Sequence, residues 1–402
     1  MTTDLCELFL QLVRMGIGHA DNNDNPDVSG NVDWTAMLAL AERQGLSAVL
    51  ADGIERLPKE VRPSKLEMLQ LIGQVMQNYE HRHKLYLQAI AELAGVYNSH
   101  GFKMMVLKGY ACALDWPKPE HRPSGDIDIW LFGKQKAADA VLLNLNANDN
   151  LGSPEGSKSD KNFSKNHIEI DNSHHHHTVF HWRDFMVENH YDFINVHHHR
   201  SNAEYEKILK KLGEASHVND NENDNVGTRI PWVELYGERV YLPSPDLHAL
   251  FLLKHMMLHF ASGEISLRQV LDWGFFVKAH GNEVDWEYVT GVLEEFGMME
   301  MFGLFNAICV EELGFQPVES LKLIVESQLG SREFKALKER VLSEILSPEF
   351  TGKTPSALIP RVVFKYRRWR ANEWKHSLCF KESMWSAFWS GVWNHLLKPR
   401  SI

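Results

Sequence analysis

The sequence predicts an α+β fold, in which a small mixed β-sheet core is flanked by N-terminal and C-terminal helical regions. Three observations lead there. Residues 1–100 place apolar side chains at helical spacing, and helical spacing returns after Leu242. Between them, stretch 102–131 carries an apolar run (Met104, Met105, Val106, Leu107) that stops at Lys108-Gly109, then a second strand-like run holding Asp126-Ile127-Asp128. Further on, 177–182 and 185–190 read as strand, turn and strand about Arg183-Asp184. The expected parts are therefore a helical region over 1–100, an α/β core over 101–240 and a helical domain over 241–402.

The first helix follows from Leu5, Leu8, Phe9, Leu12 and Val13, and 21–31 reads as a polar Asn/Asp/Pro/Gly loop. Asp33 is placed to cap the next helix, whose apolar stripe is Trp34, Met37, Leu38 and Ala41. A long helix over 64–100, with a break near Gly73, shows a stripe of Leu66, Leu69, Ile72 and Val75 and ends at Gly101 as a C-cap.

In the core, strand side chains alternate, so Asp126 and Asp128 share one side while Ile127, Ile129 and Leu131 take the other. Two carboxylates about 7 Å apart along one strand form a hard-oxygen site suited to Mg²⁺. A helix is expected over 134–145, then a polar, mobile insertion near 146–165. On the later strand Met186, Glu188, His190 and Asp192 share a face.

Ser244-Pro245-Asp246 is a helix start, with a capping Ser, Pro at the first position and an acid in the first turn. In that helix Leu247, Leu250, Phe251 and Met257 lie near one side, and His248, Leu252, His255 and His259 near another. Arg268 and Asp272 sit one turn apart in the following helix, where they can pair. The chain ends in a Trp- and Arg-rich stretch over 361–393.

Composition bounds the partners. The 402 residues fit two or three domains, and 53 acidic against 42 basic side chains do not point to nucleic acid as a partner. The Arg/Trp stretch (Arg367, Arg368, Trp369, Arg370, Trp374) leaves a local nucleic-acid or protein contact open beside its plainer reading as a packing helix. Cys6, Cys112, Cys309 and Cys379 show no CxxC spacing and read as the reduced thiols of a cytoplasmic protein. The N terminus lacks a basic n-region and no apolar run is long enough for a bilayer, so neither signal peptide nor membrane partner is expected.

The pattern Leu107-Lys108-Gly109, then Arg122-Pro123-Ser124-Gly125-Asp126-Ile127-Asp128, resembles the bacterial uncharacterised nucleotidyltransferase family of the polymerase-β-like nucleotidyltransferase superfamily. Val187-Glu188-Asn189-His190 is similar to a Val-Glu-x-His segment of that family. The superfamily usually has Gly-Ser or Gly-Gly at the turn, where this chain has Gly109-Tyr110 behind Lys108. The resemblance implies a nucleotidyltransferase core in which Asp126, Asp128 and Glu188 are catalytic and hold Mg²⁺ (or Mn²⁺), with Glu188 also able to accept the proton of an attacking hydroxyl. It implies an NTP as substrate and a hydroxyl-bearing acceptor that the sequence does not name.

Lys108, Gly109, Arg122, Ser124 and Gly125 are the candidates for nucleotide binding. Gly109 admits a phosphate to the backbone, and Lys108 or Arg122 supplies positive charge, although Arg122 could equally pair with Asp126 or Glu188 and hold the loop. His190, His255, His259, Arg268 and Asp272 are candidates to line the cleft. For His255 and His259 a core or capping role competes, since no HExxH glutamate accompanies their spacing. The histidine runs over 174–177 and 197–199 have the composition of metal-binding tracts. Two other readings stay open: a fold of this type that binds or regulates without catalysis, and, behind it, a His/Asp metal-dependent hydrolase.

Overall fold

The structure is a computed structural model that describes residues 3–19, 26, 28, 32–149, 168–196, 199–215, 230–263, 265–322, 331–348, 355–387 and 389. Most of the expected polar insertion near 146–165, most of the 21–31 loop, His197 and His198 lie outside the described residues. The architecture is α+β, a six-stranded mixed sheet with helices before, within and after it.

The strands are β1 (Met105–Val106), β2 (Ile127–Trp130), β3 (His177–Trp182), β4 (Phe185–His190), β5 (Trp232–Leu235) and β6 (Glu238–Tyr241). The helices of the first half are α1 (Thr3–Ile17), α2 (Trp34–Gln44), α3 (Ser47–Glu55), α4 (Lys65–Val75), α5 (Arg82–Ser99), α6 (Tyr110–Ala113) and α7 (Gln135–Asp149). Those of the second half are α8 (Asn202–Ala215), α9 (Pro245–Ser262), α10 (Leu267–His280), α11 (Trp286–Phe296), α12 (Met299–Ala307), α13 (Arg332–Leu346), α14 (Leu358–Ala371) and α15 (Glu373–Cys379). Among the described residues no helix is long and apolar enough to cross a membrane, and no disulfide joins the cysteines.

The chain divides into two units. A helical unit gathers Met1–His83, Cys112–Pro123 and Ala249–Trp385; a sheet unit gathers Lys84–Ala111, Ser124–His248 and Ser386–Ile402. The units thus interleave along the chain. Helix α5 packs with the sheet.

In the helical unit, α1 and α3 meet backbone to backbone. A Cβ on Gly16 would stand 2.1 Å from the Val49 carbonyl oxygen, and one on Gly53 2.1 Å from that of Leu12. Asp33 caps α2 by accepting from the Ala36 amide at 2.9 Å. Ser64 and Glu67 form a reciprocal capping box on α4.

The stripe expected on α4 is a correction. Leu66, Leu69 and Ile72 are 65%, 68% and 40% exposed. The buried line is Leu71, Val75 and Tyr79, spaced four residues apart. The Tyr79 hydroxyl accepts from the Ser47 amide at 3.3 Å and draws that line inward. The irregularity in the long helix falls in a wide turn over Met76–His81, C-terminal to Gly73.

In the sheet unit the strand order is β3-β4-β2-β1-β6-β5. Strands β2 and β4 run parallel, as do β1 and β6; β1 with β2, β3 with β4, and β5 with β6 are antiparallel. The hairpin β3–β4 turns at Arg183-Asp184, where Arg183 takes a left-handed φ of 54° and ion-pairs with Glu92 of α5. One sheet face is apolar: Ile127, Ile129 and Val187 pack with Tyr86, Ile90 and Leu93 of α5 and Ala138 and Leu142 of α7. On α7, Asp139 accepts from Asn189 (2.7 Å) and Thr178 (2.9 Å), which ties both strands of the hairpin to that helix.

The chain after β4 is pinned by α8. Glu206 is 4% exposed, and its carboxylate accepts from the amides of Phe193 (2.9 Å) and Ile194 (3.0 Å). Burial pushes this carboxyl up to about 7 from 4.5, against the two amides that lower it. Because the folded-state pKa is raised, the stabilising contribution is complete below pH 4.5 and is lost as pH rises through about 7. Relative to Glu206→Gln, the wild-type urea midpoint should therefore fall across that interval; parallel profiles for the two proteins would count against this account.

Candidate active site

The face opposite the apolar core carries the charged groups. Parallel pairing of β2 with β4 sets Asp128 beside Glu188 and Trp130 beside His190. Side chains two apart on a strand share a face, so Asp126, Asp128, Glu188 and His190 all project from this side. Lys108 arrives from the end of β1, whose following amide at Leu107 donates to the Asp128 carbonyl at 3.0 Å.

Asp128 is the centre, at 1% exposure. Lys108 Nζ lies 3.0 Å from its Oδ1, and His190 Nε2 donates to the same oxygen at 3.1 Å. Burial alone would raise the Asp128 carboxyl; Lys108 and His190 outweigh it and hold the group well below the usual carboxylate range. For His190, burial would lower the ring, but its bonds to Asp128 and Glu188 raise it to about 9. The geometry agrees, since Nδ1 faces the Asp192 carbonyl at 3.2 Å and both ring nitrogens meet acceptors. Burial would likewise lower Lys108, yet Asp128, Asp126 and Glu188 together raise it. Asp126 is shifted up by burial first and then by the charge of Asp128.

The turn beside this cluster depends on glycine. Gly109 has φ 62°, in the left-handed region. A Cβ there would also come 2.7 Å from the Tyr86 hydroxyl. That hydroxyl donates to the Asp126 carbonyl at 2.9 Å, so one α5 side chain braces both the turn and the start of β2. Tyr86 reads in the sequence as one more residue of a helix, and nothing in its spacing marks this role.

The donor set fits a divalent cation. Asp128 Oδ2 is buried without a hydrogen-bond partner, which is the kind of unsatisfied oxygen a cation would meet. Asp128, Glu188 and His190 bring ligand atoms within 4.8 Å of one another, and so do His176, His177 and His190. Asp126 belongs to neither group among the described residues, although it is electrostatically coupled to Asp128 and Glu188.

The other sequence candidates have different surroundings. Arg122, which the sequence offers either to a nucleotide or to Asp126 or Glu188, is 5% exposed and grips Asp272. Its Nε and Nη2 donate to the two carboxylate oxygens at 2.7 and 3.0 Å, and Trp116 Nε1 adds a third bond at 2.9 Å. All three residues belong to the helical unit. Upstream in the same segment, Lys118 and His121 hold Asp52 at 2.6 and 2.7 Å. Ser124 is buried, while Gly125 is exposed with open space where a Cβ would stand. His255 and His259 lie edge to face 4.4 Å apart on α9, and with Arg268 and Asp272 they belong to the helical unit.

A family model described as an uncharacterised nucleotidyltransferase matches residues 30–314. The chain belongs to that family. Comparison with curated proteins and with solved structures finds no match.

The Arg122–Asp272 pair is bidentate and buried, so removing one partner strands a charge. Arg122→Met should lower stability by about 3–5 kcal/mol, read as a reduced urea midpoint at unchanged slope. A loss under about 1 kcal/mol would show that the pair behaves as a surface bridge.

Proposed function

We propose that this protein transfers a nucleoside monophosphate from an NTP to a hydroxyl of an acceptor, with Asp126, Asp128 and Glu188 holding Mg²⁺ or Mn²⁺. The observation that carries the reading is Asp128 and Glu188 side by side on parallel strands, with a buried carboxylate oxygen left unsatisfied next to the Gly109 turn. Membership of the family supports the general activity. A divalent cation bound there would draw charge from the triphosphate and make pyrophosphate a better leaving group.

The protein's own groups supply the rest. Lys108 brings a raised-pKa ammonium to the site, a fixed positive charge for polyphosphate oxygens. Glu188 is 17% exposed at its side chain, which leaves its carboxylate open to accept the proton of an entering hydroxyl. The new bond joins that oxygen to the α-phosphorus, and the bond from the α-phosphorus to the bridging oxygen of pyrophosphate breaks. Cysteines that form no disulfide among the described residues suit a reducing cytoplasm.

A second reading has its own support. Lys108 and His190 already neutralise Asp128, so the site is self-compensated and could serve a protein that binds a nucleotide without turning it over.

The test uses α-labelled NTPs, Mg²⁺ and fractionated extract as the source of acceptor. Wild type should release pyrophosphate and label a product, and Asp126→Asn should cut the rate by about 10³-fold. Asp126 is the residue to change, because Asp128 also holds Lys108 and His190 in place. NTP binding with no transfer under any condition would favour the binding protein; full activity in the variant would sink the assignment of Asp126.

A further inference from the structure

The histidine-rich run ahead of β3 enters the charged face, and the reading above leaves it unused. His177 opens β3 directly opposite His190, the last residue of β4. The His176 carbonyl accepts from the amides of Tyr191 (3.0 Å) and Asp192 (3.1 Å), which clamps the two strand ends together. The rings therefore converge: His176 and His177 are 4.2 Å apart between centroids, His177 and His190 5.2 Å, and His176 and His190 5.5 Å. Ligand nitrogens of all three lie within 4.8 Å of one another. The Nδ1 atoms of both His176 and His177 are buried with no hydrogen-bond partner. Paired strand ends of this kind hold ligands in fixed geometry better than a loop does.

We infer that His176, His177 and His190 form a second cation site, selective for a borderline ion such as Zn²⁺ over Mg²⁺. Three imidazoles make a nitrogen-rich donor set, which suits Zn²⁺ and Co²⁺, whereas Mg²⁺ takes oxygen ligands. Three histidines around one ion leave a fourth position for water or another donor. Glu188 is at hand for it, with Oε2 3.9 Å from His177 Nδ1 and 3.5 Å from His190 Nε2. His190 is shared with the carboxylate cluster. Zn²⁺ at the histidines thus recruits a ring that now bonds Asp128, and His190 gives up a ring proton in order to ligate.

The test is Co²⁺ and Zn²⁺ titration of the full chain without a polyhistidine tag. Wild type should bind one equivalent of Co²⁺ with the visible absorption of a low-coordinate nitrogen site, Zn²⁺ should displace it, and excess Mg²⁺ should not. The double variant His176→Gln/His177→Gln should weaken Zn²⁺ binding by roughly 100-fold or more, since loss of outer-shell partners alone costs about 10–100-fold. Asp126→Asn should bind Zn²⁺ as wild type does, which separates this site from the transferase reading. Should the double variant fail to fold, His176→Gln alone, at a half-buried ring, should still lose at least about 10-fold. Zn²⁺ binding that survives in a folded histidine variant, or wild type that binds no Co²⁺, overturns the proposal.

Discussion

The negative charge of Asp128 is taken out of water, and three neighbouring strands exist in the right order to answer it. Strand β2 carries the carboxylate, β1 delivers Lys108 from one side and β4 delivers His190 from the other. An uncompensated buried charge costs about 3–5 kcal/mol, a large fraction of the stability of any domain. The β4-β2-β1 order and the electrostatics are therefore one constraint stated twice. A slip of one residue between β2 and β4 would turn Glu188 and His190 into the apolar layer and bring Val187 and Asn189 to the charge.

The two faces of the sheet divide the work. The apolar face seats α5 and α7, and a polar anchor there, Asp139, accepts from Asn189 and Thr178. The charged face gathers lysine, carboxylates and three histidines around a left-handed glycine. Tyr86 reaches from the packed side to the edge where the faces meet and bonds the Asp126 carbonyl. Shape at the turn is thus set by a residue of the packing helix, and chemistry by the strands.

What could be read from sequence follows from how local each signal is. The β3–β4 hairpin, the Asp33 cap, the Ser64 helix start and the left-handed Gly101 after α5 depend on a few neighbouring residues, and their spacing displays them. The sharing of a face by Asp126 and Asp128 is equally local. That Glu188 would stand beside Asp128 depended on the parallel pairing of strands some sixty residues apart, which the resemblance to a family implied and no periodicity could show. Arg122 is the opposite case: its partner is 150 residues away, in a helix where Arg268 is the local candidate. On α4, four apolar residues at helical spacing suggested a buried stripe, yet Tyr79 fixes the rotation of that segment, and spacing carries no information about such a tether.

The interleaving of the two units also bears on how the chain is made. The helical unit draws its third segment from Ala249–Trp385, and the sheet unit draws on Lys84–Ala111, Ser124–His248 and Ser386–Ile402. On the ribosome, α1 to α4 emerge first and can pack on one another, but their unit is completed only when α9 to α13 follow, after the strands have emerged. No single cut through the polypeptide separates one unit whole from the other. A truncation that keeps one continuous stretch of the chain therefore leaves at least one unit incomplete.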